Sequence, residues 1–105
     1  MYRYKIIIEY DGTDLHGFQI QKKNNTIQQL VQSTISKILK EKITIIGSGR
    51  TDAGVHAWGQ TAHFDSKKII NNTGKLINSL NFFLNKNLIS IIEIKKKKLS
   101  FHARY

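Results

Sequence analysis

The sequence predicts an α+β domain: one antiparallel sheet with two helices packed on the same face. Two kinds of periodicity and their order predict it. Apolar residues recur with a period of two in four short stretches and with helical spacing in two longer ones. Those stretches follow one another as β-α-β-β-α-β.

Tyr4–Tyr10, YKIIIEY, is apolar and β-branched. Ile6, Ile8 and Tyr10 share one face and Ile7 the other, which reads as a central strand. Asp11-Gly12 is a turn signal, and Asp11–Asn25 reads as a long irregular segment, a type of loop that is often functional. Thr26–Lys40 is the clearest helix. Ile27, Leu30, Val31, Thr34, Ile35, Ile38 and Leu39 form its stripe, and Thr26 with Gln29 forms a T-x-x-Q capping box. Lys37 and Lys40 sit at the negative end of its dipole.

Ile43–Ile46 reads as a short strand leading into a glycine-rich stretch. Ala57–Asp65 is the next strand, with Trp58, Gln60, Ala62 and Phe64 alternating with Gly59, Thr61, His63 and Asp65. Ser66–Asn72 is a polar connection. Asn72 or Thr73 caps a second helix, about Gly74–Leu84, with a stripe of Leu76, Ile77, Leu80, Phe83 and Leu84. Leu88–Ile94 is the last strand, followed by Lys95–Lys98. This order is the ferredoxin-like pattern, a four-stranded antiparallel sheet with one face left open for a ligand or partner. No repeat or linker divides the chain, so residues 1–105 read as a single domain.

Composition narrows the function classes. Hydrophobic residues make up 40% of the 105, enough for a core, and no apolar run approaches membrane-spanning length. The start reads as a strand rather than a signal peptide, and there are no cysteines for disulfides or a thiolate metal site. A cytoplasmic location is expected. The net charge of +10 suits a polyanion binder. Fourteen of the 17 cations are lysine, so compositional bias is an alternative source of that charge.

The stretch with most chemistry is Gly47–Phe64, GSGRTDAGVHAWGQTAHF. Asp52 lies between two strand patterns, with Arg50 two residues before it. A guanidinium that close can pair with the carboxylate, holding it ionised and aimed. The alternative is a hairpin tip stapled by a surface ion pair. His16, His56, His63 and His102 are scattered, so no metal site is expected. Lys95–Lys98 reads as a solvated charge run or a phosphate contact. The RNA-recognition motif shares this strand order, but AWGQTAHFD lacks its third-strand aromatic pattern.

GRTDAGVHA, followed by Gln60 and His63-Phe64, resembles the signature of the TruA-type tRNA pseudouridine synthase family. EYDGTDLHGFQIQ, NSLNFFLN and FHARY resemble further landmarks of that family, in the same order. Phe18 replaces its usual tryptophan, and Asn85 a common proline. The family continues well beyond FHAR, and this chain holds its N-terminal, catalytic half.

The resemblance implies a ferredoxin-like half-enzyme that isomerises uridine to pseudouridine in tRNA, at about positions 38–40 of the anticodon arm. No cofactor is implied. Asp52 would be the nucleophile or base, and Arg50 would orient it and support the flipped base. Asp11, Gly12, Gln19, Thr51, His56, Gln60, His102 and Arg104 would contact substrate. The implied partners are tRNA and, in the full-length form, a second copy in a homodimer; no membrane is implied. A base-stacking tyrosine and the second wall of the cleft would lie beyond residue 105, so this stretch alone is expected to fold and bind RNA without turnover. A non-catalytic RNA-binding module and a protein-interaction domain are the alternatives.

Overall fold

The structure is a computed structural model that describes residues 1–10, 27–47, 52–53 and 58–102, with the backbone alone for Asp52, Ala53 and Trp58. The elements are β1 (Tyr2–Tyr10), α1 (Ile27–Leu39), β2 (Ile45–Gly47), β3 (Asp52–Ala53), β4 (Trp58–Ser66), α2 (Thr73–Leu84), a single 3₁₀ turn (Asn85–Asn87) and β5 (Ile89–Lys97). The sheet runs β2-β4-β1-β5, all pairs antiparallel, with β3 added onto β4. That is the ferredoxin-like order the sequence predicts, with one two-residue strand more than expected.

β1 is central because both of its edges are paired. Tyr4, Ile6, Ile8 and Tyr10 are buried toward the helices. They meet Ala62 and Phe64 of β4, Ile27, Val31 and Ile35 of α1, and Leu76, Leu80 and Leu84 of α2, in one core. Both helices bury residues spaced four apart, the helical repeat that forms a single stripe. Phe83, expected in that stripe, is 49% exposed. It borders an apolar groove of about 400 Å³ between the helices, with Leu30, Ile38 and Leu84.

β5 departs from its expected pattern in two ways. Its pairing with β1 shifts between Ile7 and Ile8, so Ile8 faces Ile91 and Ile7 faces Glu93. Ile92 is the extra residue of a β-bulge and is exposed. Strict alternation would have put Ile91 and Ile94 on opposite faces; the bulge turns both, with Ile89, into the core. The strand also continues past Ile94 to Lys97, because β1 still offers ladder partners from Lys5 to Arg3. The lysine run is therefore partly strand, not a tail after it.

Side chains finish what the ladders leave open. Gln28 Nε2 donates to the Ile45 carbonyl (2.7 Å), and Gln32 Oε1 accepts from the Ile45 amide (2.9 Å). Two glutamines one turn apart thus cover the β2 edge with α1. α1 ends where Lys40 takes a left-handed conformation (φ 54°). Glu41 then accepts from the Lys67 amide (2.7 Å) and the Ser66 hydroxyl (2.8 Å), joining this end of α1 to the end of β4. The Lys67 amide, foremost, holds the Glu41 carboxyl below its ordinary pKa. Asn72 caps α2 through its side-chain oxygen to the Lys75 amide, as expected. The Thr26 half of the α1 capping box lies outside the described residues.

Asn81 meets both backbone polar groups of Ile91, accepting from its amide (2.6 Å) and donating to its carbonyl (3.1 Å), beside the bulge. Asn81→Ala is expected to cost about 1–3 kcal/mol, because two part-buried backbone groups lose their partner. Asn81→Asp keeps only the acceptor and should fall between. Denaturant unfolding checks this; an Asn81→Ala variant as stable as wild type would show that the amide does not hold the bulge.

Candidate active site

The glycine-rich stretch leaves β2 at Gly47 and re-enters the sheet at Asp52 and Ala53, which pair with Gly59 and Trp58 of β4. Asp52 thus stands on the connection between β2 and β4, where the sequence puts it, with its backbone in register with the sheet. Gly59 in turn faces Glu9 of β1. Arg50, Thr51, His56, Asp11, Gly12, Gln19 and Arg104 lie outside the described residues, as does the expected Arg50–Asp52 pairing.

Gln60 is not brought to this row. It pairs with Ile8, is only 3% exposed, and donates to the Thr61 carbonyl at 3.3 Å. Alternation sends it to the helical side, one residue away from Gly59.

The helix-free face of the sheet carries charged residues in fixed pairs. Lys5 of β1 meets Glu93 of β5 at 2.8 Å across the ladder, which lowers the Glu93 pKa. Arg3 Nε and Nη2 donate to Asp65 Oδ1 and Oδ2 at 2.8 and 2.9 Å, a fork-to-fork pair. Arg3 Nη1 also donates to the Leu99 and Phe101 carbonyls, at 2.7 and 2.6 Å. Asp65 raises the Arg3 pKa, and Arg3 holds the Asp65 carboxyl below its ordinary range.

Arg3 therefore ties the segment after β5 back across the sheet. The chain turns at Lys98–Phe101, closed by the Phe101 amide to the Lys98 carbonyl at 2.9 Å. Phe101 and His102 then lie over His63 of β4. The His63 ring meets Phe101 edge-on at 6.2 Å and His102 at 4.7 Å between centroids. His63 belongs to the polar, outward-facing set of β4, yet it is 1% exposed, because this segment covers it. Burial lowers its pKa, with Arg3 and His102 adding to the effect, so the ring is neutral at neutral pH. The face expected to be open is covered at this end by Phe101 and His102. Arg3, His63 and Asp65 were not singled out as site residues. The signal was long-range: Arg3 and Asp65 are 62 residues apart and meet only through β1–β4 pairing.

Arg3→Ala is expected to cost about 1–3 kcal/mol, reduced toward the low end because the pair is 18% and 29% exposed. It should also move the His63 and His102 ring NMR signals toward solvent values. Asp65→Asn should destabilise at neutral pH. Its folded pKa is lowered, so its contribution is present above the unfolded value of about 3.9 and is lost as pH falls below it. The gap between wild type and Asp65→Asn should thus close in acid. Unchanged histidine signals in Arg3→Ala would show that the segment holds itself.

Residues 6–105 match the family model described as tRNA pseudouridine synthase. The chain is 56% identical over 105 residues to tRNA pseudouridine synthase A of Pelagibacter ubique (strain HTCC1062), covering all of this chain and 43% of that protein. It is 44% identical over 104 residues to the same-named proteins of Ehrlichia ruminantium strains Gardel and Welgevonden, covering 98% of this chain and 42% of each. The chain thus spans less than half the length of these relatives. With the GRTDAGVHA motif running into β4 and the ferredoxin-like order around it, the chain belongs to the tRNA pseudouridine synthase family.

Proposed function

We propose that this chain is the Asp52-bearing N-terminal half of an enzyme that converts uridine to pseudouridine in the anticodon stem-loop of tRNA, at about positions 38–40. The observation that carries the reading is the family match across residues 6–105, with Asp52 at the one aspartate of the GRTDAGVHA motif. The β3–β4 pairing supports it, since a ladder position fixes the backbone from which the carboxylate works.

In this reaction the N1–C1′ bond breaks, the base turns, and a C1′–C5 bond forms. C5 loses a proton and N1 gains one, so atoms and oxidation state balance. Asp52 acts through its ionised carboxylate, as the nucleophile toward sugar or base or as the base that takes a sugar proton. The uridine leaves its stack to reach it, and Arg50 takes the vacated place and orients Asp52. The segment seated by Arg3 carries His102 to the substrate side, with Arg104 two residues on. Turnover belongs to the longer protein, as a homodimer in the cytoplasm; residues 1–105 supply the reacting carboxylate and an RNA-binding face.

In the full-length protein, Asp52→Asn should bind tRNA within about twofold of wild type and lose pseudouridine formation by about 10³-fold or more, since shape remains while the anionic oxygen is gone. Arg50→Lys should lose much of the activity, because lysine cannot reproduce a planar bidentate pairing. Near wild-type turnover by Asp52→Asn, assayed on unmodified tRNA, would refute the assignment.

A further inference from the structure

The charge along the sheet is unevenly distributed. At the Arg3 end, the carboxylates Asp65 and Glu93 are already engaged by Arg3 and Lys5. Lys96 and Lys97 end the edge strand and Lys98 follows it; Lys97 pairs with Arg3 on the helix-free face, Lys96 pairs with Tyr4 on the helical side of the edge, and among the described residues none of the three is within ion-pair distance of a carboxylate. A shallow hollow of about 580 Å³ opens between Met1–Arg3 and Lys96–Leu99, and among the described residues no acidic one lines it. Two of its cations are seated on rings. Lys96 Nζ lies 5.2 Å from the Tyr2 ring centroid, and Lys97 Nζ 5.9 Å from that of Phe101. Such seating limits the freedom a flexible lysine loses on meeting an anion.

We infer that Lys96, Lys97 and Lys98, with Tyr2 and the hollow beside them, form a phosphate-backbone contact for RNA, separate from the place where the uridine reacts. The inference rests on the reading of the chain as one that acts on tRNA. The register supplies the separation. Asp52 faces Gly59, Gly59 faces Glu9, and Lys97 faces Arg3 at the far end of β1. At about 3.3 Å per residue along the strand and about 4.8 Å between strands, the two places lie on the order of 20–25 Å apart. No single nucleotide spans that distance, so the patch grips a different part of the RNA and orients it toward Asp52. Phosphate contacts of this type position a nucleic acid without reading its sequence. Lysines on an edge strand also discourage strand addition. That role accounts for charge at the edge but requires neither the hollow nor the aromatic seats.

The test uses the full-length protein with Lys96, Lys97 and Lys98 changed together to Gln. A control changes Lys37, Lys42 and Lys86, exposed lysines in or beside the helical layer, by the same total charge. The patch variant should bind tRNA on the order of tenfold more weakly and reduce the log–log salt slope by about 2, while the control stays close to wild type. In turnover, KM should rise and kcat stay the same. Equal weakening in both variants would reduce the patch to bulk charge, and no weakening to a solvated run; either overturns the inference. Unchanged tRNA binding with lost binding to phosphatidylserine vesicles would assign the patch to a membrane and overturn it as well. The binding measurement needs no turnover, so it stands apart from the Asp52 assay: a protein that forms no pseudouridine but shows the patch-specific salt effect would sink the catalytic reading alone.

Discussion

Everything in this fold depends on the alternation of β1. The strand is paired on both edges, so its two faces are its only routes to side-chain partners. One face delivers Tyr4, Ile6, Ile8 and Tyr10 to the core, where burying each large apolar side chain contributes about 1.5–3 kcal/mol. The other necessarily presents Arg3, Lys5, Ile7 and Glu9, between two strands whose residues face the same way. A central strand cannot leave such charges to solvent alone. The neighbouring registers answer it with Asp65 on β4 and Glu93 on β5. The bulge at Ile92 belongs to the same constraint, because it brings Glu93 opposite Ile7, next to Lys5, while Ile91 and Ile94 stay in the core.

From that constraint the arrangement of the helix-free face follows. Arg3 is ordered by Asp65, and its remaining donors reach the carbonyls of Leu99 and Phe101. The segment carrying His102 is thereby fixed on the sheet and shields His63 from water. At the opposite end of the sheet, β3 holds the backbone of Asp52 against Gly59. The helical layer lies on the far side and carries the core stripes of α1 and α2. One face of the sheet is used for folding; the other carries the Asp52 backbone toward one end and Arg3 with Lys97 toward the other.

The fold class, the order of elements and most core residues were legible in the sequence, because periods of two and about 3.6 are local signals. Ile27, Val31 and Ile35 on α1, and the Asn72 cap of α2, stood where spacing put them. What was not legible came from pairing between distant residues. The Ile92 bulge is set by registration against β1 and by Asn81, ten residues from Ile91. The extension of β5 through Lys97 looked like a charge run, since lysines carry no strand periodicity of their own. The burial of Gln60 beside Ala62 and Phe64 follows from the alternation of β4, which the sequence already shows. Asp52 was legible as a position because glycines between two strand patterns mark a connection. Its two-residue strand was not, being too short to leave a pattern.

The central claim is that tRNA engages the helix-free face between Asp52 and the segment held by Arg3. Hydrogen–deuterium exchange of the full-length protein with and without tRNA tests it most directly. Slowed exchange is expected in residues 52–66 and 98–102, with α1 and α2 unchanged. Slowing confined to α1, α2 and the apolar groove between Leu30, Ile38 and Phe83 would contradict the account and move the RNA to the helical layer.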